Sequence, residues 1–277
     1  MLRWYGYLGL LLMLAAEINF YAAVQPFATW YIVIIWYGYI LFVDSIVYMR
    51  RGKSIITSYP KEFLFMLLIS VPFWLIFELY NLFTLSWHYI NYVWYVHLFD
   101  FTTILPAVME TFTLTNAFGV GKRFDLKPSK HLGAKPGRHA GPIRLLVLLG
   151  GIVMILPALV GPIGFILMWI SLCFFFDPLN YLVGRPSLLQ KASIGERSAL
   201  IRASIAGLVM GFFWELWNYQ AYPKWYYTLP SFIINIKLFA MPLEGYIGYT
   251  AFGASVFLFY AFFRGYLFKG RNELLNM

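Results

Sequence analysis

The sequence predicts an all-α polytopic membrane protein: eight transmembrane helices arranged as two tandem four-helix repeats, related by a pseudo-two-fold axis along the membrane normal. Three observations predict it. The 277 residues are 61% hydrophobic and only 12% charged, whereas soluble domains carry roughly 25% charged residues. The apolar residues run in stretches of about 20, the length a helix needs to cross a hydrocarbon core of ~30 Å. Finally, motifs recur in the same order about 135 residues apart. A soluble enzyme, a disordered chain and a disulfide-stapled module are thereby excluded. The single cysteine, Cys173, lies inside an apolar run, so neither a disulfide nor a Cys-based metal site is expected within one chain.

In chain order the expected spans are 5–24, 28–49, 63–86, 101–120, 145–160, 164–183, 203–222 and 238–263. The first contains Glu17 and lacks a small-residue cleavage site, which distinguishes a mature helix from a signal peptide. The even-numbered connections hold the basic residues, including Arg50, Arg51, Lys53 and Lys61 in the second, and Arg185, Lys191, Arg197 and Arg202 in the sixth. Of the 21 Lys and Arg residues, only Lys224 and Lys237 fall on the other side. The positive-inside rule then puts both termini in the cytoplasm, with the bacterial cytoplasmic (inner) membrane as the expected location. The net charge of +9 is thus read as topology, and no nucleic-acid partner is expected. The chain divides into a first repeat, 1–120, a Gly-, Pro- and Lys-rich basic linker, 121–144, and a second repeat, 145–277. Linker cations suit anionic lipid headgroups. On the opposite face the connections are aromatic, with Trp87, Tyr89, Tyr92, Trp94 and Tyr95 in one and Trp225, Tyr226 and Tyr227 in another, the composition of an interfacial belt.

The duplication rests on two motifs. Trp36, Asp44, Tyr48 and Ser54 recur at unchanged spacing as Trp169, Asp177, Tyr181 and Ser187. Phe77-Glu78-Leu79-Tyr80-Asn81 recurs as Trp214-Glu215-Leu216-Trp217-Asn218, each followed by aromatics and then by Leu105-Pro106 or Met241-Pro242. Four spans per unit keep both copies in one orientation, which requires an axis along the membrane normal.

Seven acids fall inside the expected spans: Glu17, Asp44, Glu78, Glu110, Asp177, Glu215 and Glu244, with no Lys or Arg deep in any span. Each ionised carboxylate at mid-membrane costs about 2.5–3.5 kcal/mol, so these groups must be protonated, hydrogen-bonded, wetted or bound to a cation. Asp44 and Asp177 lie near the cytoplasmic ends with a tyrosine at i+4, which suggests a structural hydrogen bond. Glu17, Glu78, Glu215 and Glu244 share one expected layer roughly 10–13 Å below the outer surface, at ~1.5 Å per residue, with Glu110 nearer the middle. Glu78 with Asn81 and Glu215 with Asn218 stand at i and i+3, which fits either a helix-packing clasp or a polar site. Pro106 and Pro242 precede Glu110 and Glu244 and free a backbone carbonyl. The four histidines, His88, His97, His131 and His139, all fall in expected connections, so no haem ligand pair is expected. No metal site, cofactor or phosphate-cradling loop is expected either.

The segment Trp214-Glu215 … Trp225-Tyr226 … Pro242-Leu243-Glu244 resembles the signature of the integral-membrane lycopene cyclase domain, a family that is also internally duplicated. Gly245 stands where the family usually carries a second acid, and Glu110 follows Pro106 by four residues rather than two. The resemblance implies proton-initiated ring closure of a linear polyene, with Glu215 and Glu244 as the matched acids and Glu78 and Glu110 as their counterparts in the first half. An intramembrane carboxylate and aromatic site for a long apolar ligand is therefore one reading: an isomerase-like enzyme acting on an isoprenoid or carotenoid. The ligand-contacting candidates are Trp214, Trp217, Asn218, Trp225, Trp74, Tyr80, Asn81 and Glu17. The same residues suit a quinone- or lipid-binding anchor subunit among other membrane subunits, or a proton- or cation-coupled transporter.

Overall fold

The computed structural model describes residues 1–126, 140–230, 236–268 and 274–276. The first half runs α1 (Trp4–Ala22), α2 (Tyr31–Arg51), α3 (Ile55–Ser58), α4 (Pro60–Thr84), β1 (Trp87–Ile90) and α5 (Trp94–Ala117). The second runs α6 (Ala140–Leu159), α7 (Gly164–Leu182), α8 (Leu188–Ser193), α9 (Ser198–Gln220) and β2 (Lys224–Tyr227). A two-residue hairpin follows, β3 (Lys237–Leu238) with β4 (Met241–Pro242), and then α10 (Gly245–Leu267). Most of the linker 121–144 lies outside the described residues, as do its histidines His131 and His139.

Among the described residues, seven helices are long and apolar enough to cross a membrane. The fourth expected span is the exception. It is a 24-residue helix, α5, but its Asp100, Glu110 and run of threonines keep its hydropathy below that of the others. Its polarity has a place to go, because α5 is packed against α2, α4, α9 and α10 rather than at the rim. The outer helices show the reverse pattern. On α6, Leu148, Ile152, Ile155 and Leu159 form an exposed stripe at helical spacing, the surface lipid would cover.

Two expected boundaries move enough to matter. The helix α5 begins at Trp94, seven residues before the expected start at Phe101, so His97 and Asp100 belong to a helix and not to a connection. The helix α10 begins at Gly245, because 237–242 is spent on the small hairpin. Glu244 therefore stands at the residue before the helix, its side chain making no capping bond, instead of lying inside one. The last helix also extends to Leu267 and carries Arg264 with it.

Close packing between helices uses glycine. A Cβ on Gly207 of α9 would lie 2.0 Å from the Tyr249 carbonyl oxygen, and one on Gly253 of α10 would lie 2.1 Å from the Ala203 carbonyl oxygen. Backbone meets backbone there, the packing mode that small residues permit between membrane helices. Near the basic end, Glu62 of α4 is buried and ion-paired with Arg264 at 2.5 Å, and Tyr260 donates to the same carboxylate at 2.6 Å. One ion pair thus ties a helix of the first half to the last helix of the second.

Both halves repeat a turn after their second long helix. Ser54 Oγ donates to Asp44 Oδ2 at 2.7 Å and the Ile56 amide donates to Oδ1 at 2.8 Å. Ser187 Oγ donates to Asp177 Oδ1 at 2.6 Å and the Leu189 amide donates to Oδ2 at 2.9 Å. In each case the aspartate secures the short helix that follows, satisfying amides that a helix start leaves unpaired. For Asp44 the tyrosine donor is Tyr5 of α1, at 2.6 Å. The expected i+4 neighbour Tyr48 instead lies beneath the Arg3 guanidinium, 4.7 Å from its ring centre.

Candidate functional site: an aromatic cleft with a buried acid

The two halves meet at the aromatic end through a two-stranded antiparallel ribbon, one strand from each. Trp87 pairs with Tyr227, His88 with Tyr226, Tyr89 with Trp225 and Ile90 with Lys224. Side chains of a strand alternate between faces, so Trp87, Tyr89, Trp225 and Tyr227 all project from one face. All four line a single cleft beneath the ribbon. These residues are turned into the molecule; Tyr92, Trp94, Tyr95 and Tyr226 are the exposed members of the expected aromatic belt.

The strands are positioned by the two asparagines of the repeat. Asn81 Nδ2 donates to the Trp87 carbonyl at 2.8 Å, and Asn81 Oδ1 accepts from the amides of Ser86 and Trp87. Asn218 Nδ2 donates to the Trp225 carbonyl at 2.9 Å and its Oδ1 accepts from the Trp225 amide at 2.8 Å. Each asparagine thus fastens the end of its helix to the strand that follows. Neither lines the cleft.

Helices supply the remaining walls. Trp36 comes from α2, Trp74 from α4, Trp169 from α7, Trp214 from α9 and Tyr249 from α10, while α5 contributes His97, Asp100, Phe101, Ile104 and Val108. Six of the chain's 10 tryptophans therefore face one space. That space holds about 740 Å³ free of atoms, its open mouth included.

The glutamates of the repeat stand behind this wall. Tyr227 donates to Glu215 Oε1 at 2.6 Å, and Tyr249 donates to the same oxygen at 2.6 Å. Trp225 Nε1 donates to the Tyr227 hydroxyl at 2.8 Å. On the first half, Trp74 Nε1 donates to Glu78 Oε1 at 2.7 Å, and the Tyr89 hydroxyl donates to it as well. The cleft meets the tyrosines and tryptophans, not Glu78 or Glu215. The phenols of Tyr89 and Tyr227 are held well above their ordinary range, by burial first and then by the glutamate each faces. They remain donors at any physiological pH.

The other sequence candidates disperse. Glu244 sits at the start of α10, away from the cleft lining, with one buried oxygen lacking a donor. Glu110 is fully buried farther along α5, beside Asp44. Glu17 accepts a 3.3 Å hydrogen bond from Tyr31, whose hydroxyl also lies 2.8 Å from Gln220 Oε1. Tyr80 donates to the Met154 carbonyl at 2.8 Å. Trp217 packs edge-on against Trp36, ring centres 4.6 Å apart, and stays out of the cleft lining. Trp74, Trp214 and Trp225 do reach it.

The acid that touches the cleft is Asp100, which sequence reading left in a connection. One of its carboxyl oxygens is buried without a hydrogen-bond partner. The indole N–H of Trp169, also in the lining, is buried and unpaired too. The available signal was helical spacing: His97, Asp100, Phe101 and Ile104 fall at i, i+3, i+4 and i+7, one face of a helix. Compared with models of known protein families, with characterised proteins and with solved structures, the chain matches none of them. The resemblance to the lycopene cyclase domain thus stands on its short motif alone.

Proposed function

We propose that this integral membrane protein binds a long, slender apolar ligand of the isoprenoid or carotenoid class in the cleft, and that Asp100 is the acid that initiates its isomerisation or cyclisation. In this reading α5 is an eighth span, the halves are tandem duplicates about an axis along the membrane normal, and the basic end with both termini faces the cytoplasm. The single observation that carries the function is the unpartnered Asp100 oxygen in a cleft walled by tryptophans. Negative charge on that buried oxygen would have neither a cation nor a donor to offset its desolvation, so the group is read as the neutral acid. Donating that proton to a ligand double bond leaves a carbocation, which tryptophan faces stabilise as they do other cations until a carbon beside the cationic centre returns a proton to the Asp100 carboxylate and a new double bond forms. Glu78 and Glu215 then act through the tyrosines and tryptophans they hold, as positioning residues.

The unpaired Trp169 N–H favours a second reading, in which the cleft only binds a quinone or lipid whose carbonyl accepts that hydrogen bond. Mass spectrometry and the visible absorption spectrum of an organic extract of the gently purified protein distinguish the two. A stoichiometric polyene that accumulates unconverted in Asp100→Asn supports the catalytic reading. A quinone or phospholipid, retained equally by wild type and Asp100→Asn, overturns it.

A further inference from the structure

A second buried acid lies far from the cleft and has no part in the function proposed above. Glu110 is wholly buried, and neither carboxyl oxygen has a hydrogen-bond donor. It faces Asp44 of α2 within side-chain hydrogen-bonding reach. Asp44 is equally buried but differently served. Tyr5, Ser54 and the Ile56 amide all donate to it. Glu110 receives none, and two bare carboxylates in contact would repel strongly in a low-dielectric interior. The titratable groups facing Glu110 are Asp44 and Tyr39 from α2 and Tyr5 from α1. Among the described residues no Lys or Arg stands against it.

We propose that Glu110 and Asp44 form a proton-binding site in which one proton, carried on the Glu110 carboxyl, is shared with Asp44. Only that arrangement converts the contact between two acceptors into a hydrogen bond. Release of the proton as H⁺ leaves two adjacent anions, so occupancy of the site holds α5 against α2 and, through Tyr5, against α1. Asp177 lacks this device: α10, the counterpart of α5, carries no acidic residue along its length.

Infrared difference spectroscopy on the full chain in lipid nanodiscs tests this. A protonated-carboxyl C=O band is expected at neutral pH, absent in Glu110→Gln and present in Asp100→Asn. In Asp44→Asn the band should shift, because the acceptor for the shared proton is gone. If Glu110→Gln does not fold, ¹³C-carboxyl labelling of glutamate in the wild-type protein replaces it and should move the band. A wild-type spectrum with no glutamate-dependent band at neutral pH overturns the site. A band that Asp44→Asn leaves unmoved overturns the sharing, as does a sodium-dependent change in carboxylate bands in place of a pH-dependent one.

Discussion

Glu78 and Glu215 occupy matching places in the two halves and solve the same problem with different neighbours. Three residues after each glutamate comes the asparagine that fastens the strand, and in each half a strand tyrosine donates to the carboxylate. The second donor differs. On α4, four residues before Glu78, stands Trp74, whose own indole reaches the acid. At the corresponding position on α9 stands Gly211, where a Cβ would lie 2.2 Å from the Tyr249 ring. The missing side chain makes room for a tyrosine from the neighbouring helix, which supplies the hydroxyl instead. One half therefore serves its acid from within a helix and leaves it half-buried; the other recruits α10 and buries it fully. The position of a carboxylate is kept while the ring that holds it changes helix.

This comparison is broken most severely by filling the glycine seam. Gly207→Leu would place atoms where the Tyr249 carbonyl now lies 2.0 Å away, so α9 and α10 must separate. The expected cost is about 3 kcal/mol, the upper part of the overpacking range, seen as a large fall in melting temperature in detergent. A variant that melts like wild type would mean that the two backbones do not meet here.

A smaller effect separates the two acids. Glu215→Leu strands the Tyr227 and Tyr249 hydroxyls beside a fully buried site and is expected to cost about 2–3 kcal/mol. Glu78→Leu, at a half-buried site, should cost about 1 kcal/mol. Melting temperatures of the two variants measured side by side check the order, and equal losses would remove the asymmetry drawn above.

The smallest effect appears at alkaline pH. The Tyr227 phenol is raised in the folded chain, by burial and then by Glu215, whereas an unfolded tyrosine ionises near pH 10. Above that pH the unfolded chain loses a proton that the folded chain keeps, so stability is complete below about pH 10 and declines as pH rises. Tyr227→Phe should flatten part of that decline, as read from melting temperature against pH. Tyr89→Phe should do the same on the first half.

What was legible in the sequence is what repeats or runs. Long apolar stretches gave the helices, and the matched spacing of Asp44–Ser54 and Asp177–Ser187 marked two turns that are closed by the same hydrogen bonds. Glu78 with Asn81 and Glu215 with Asn218 drew attention to the right helix ends, although the asparagines fasten backbone and do not line the cleft. Asp100 escaped because the aromatic and polar run from Trp94 to Asp100 looks like a connection until the rest of the bundle surrounds it. Tyr249 had no local signal at all, and Glu110 stood out as an acid inside an expected span without any sign of what it packs against. Their partners, Glu215 and Asp44, are 34 and 66 residues away in sequence, and only helix packing brings them together.

The ribbon of β1 and β2 has a consequence for the chain as a whole. Each half contributes one strand, so neither fragment alone roofs the cleft, and each would leave a raw strand edge and bare tryptophans at its rim. Two separately expressed pieces, cut between 126 and 140, would have to find each other before the cleft was roofed.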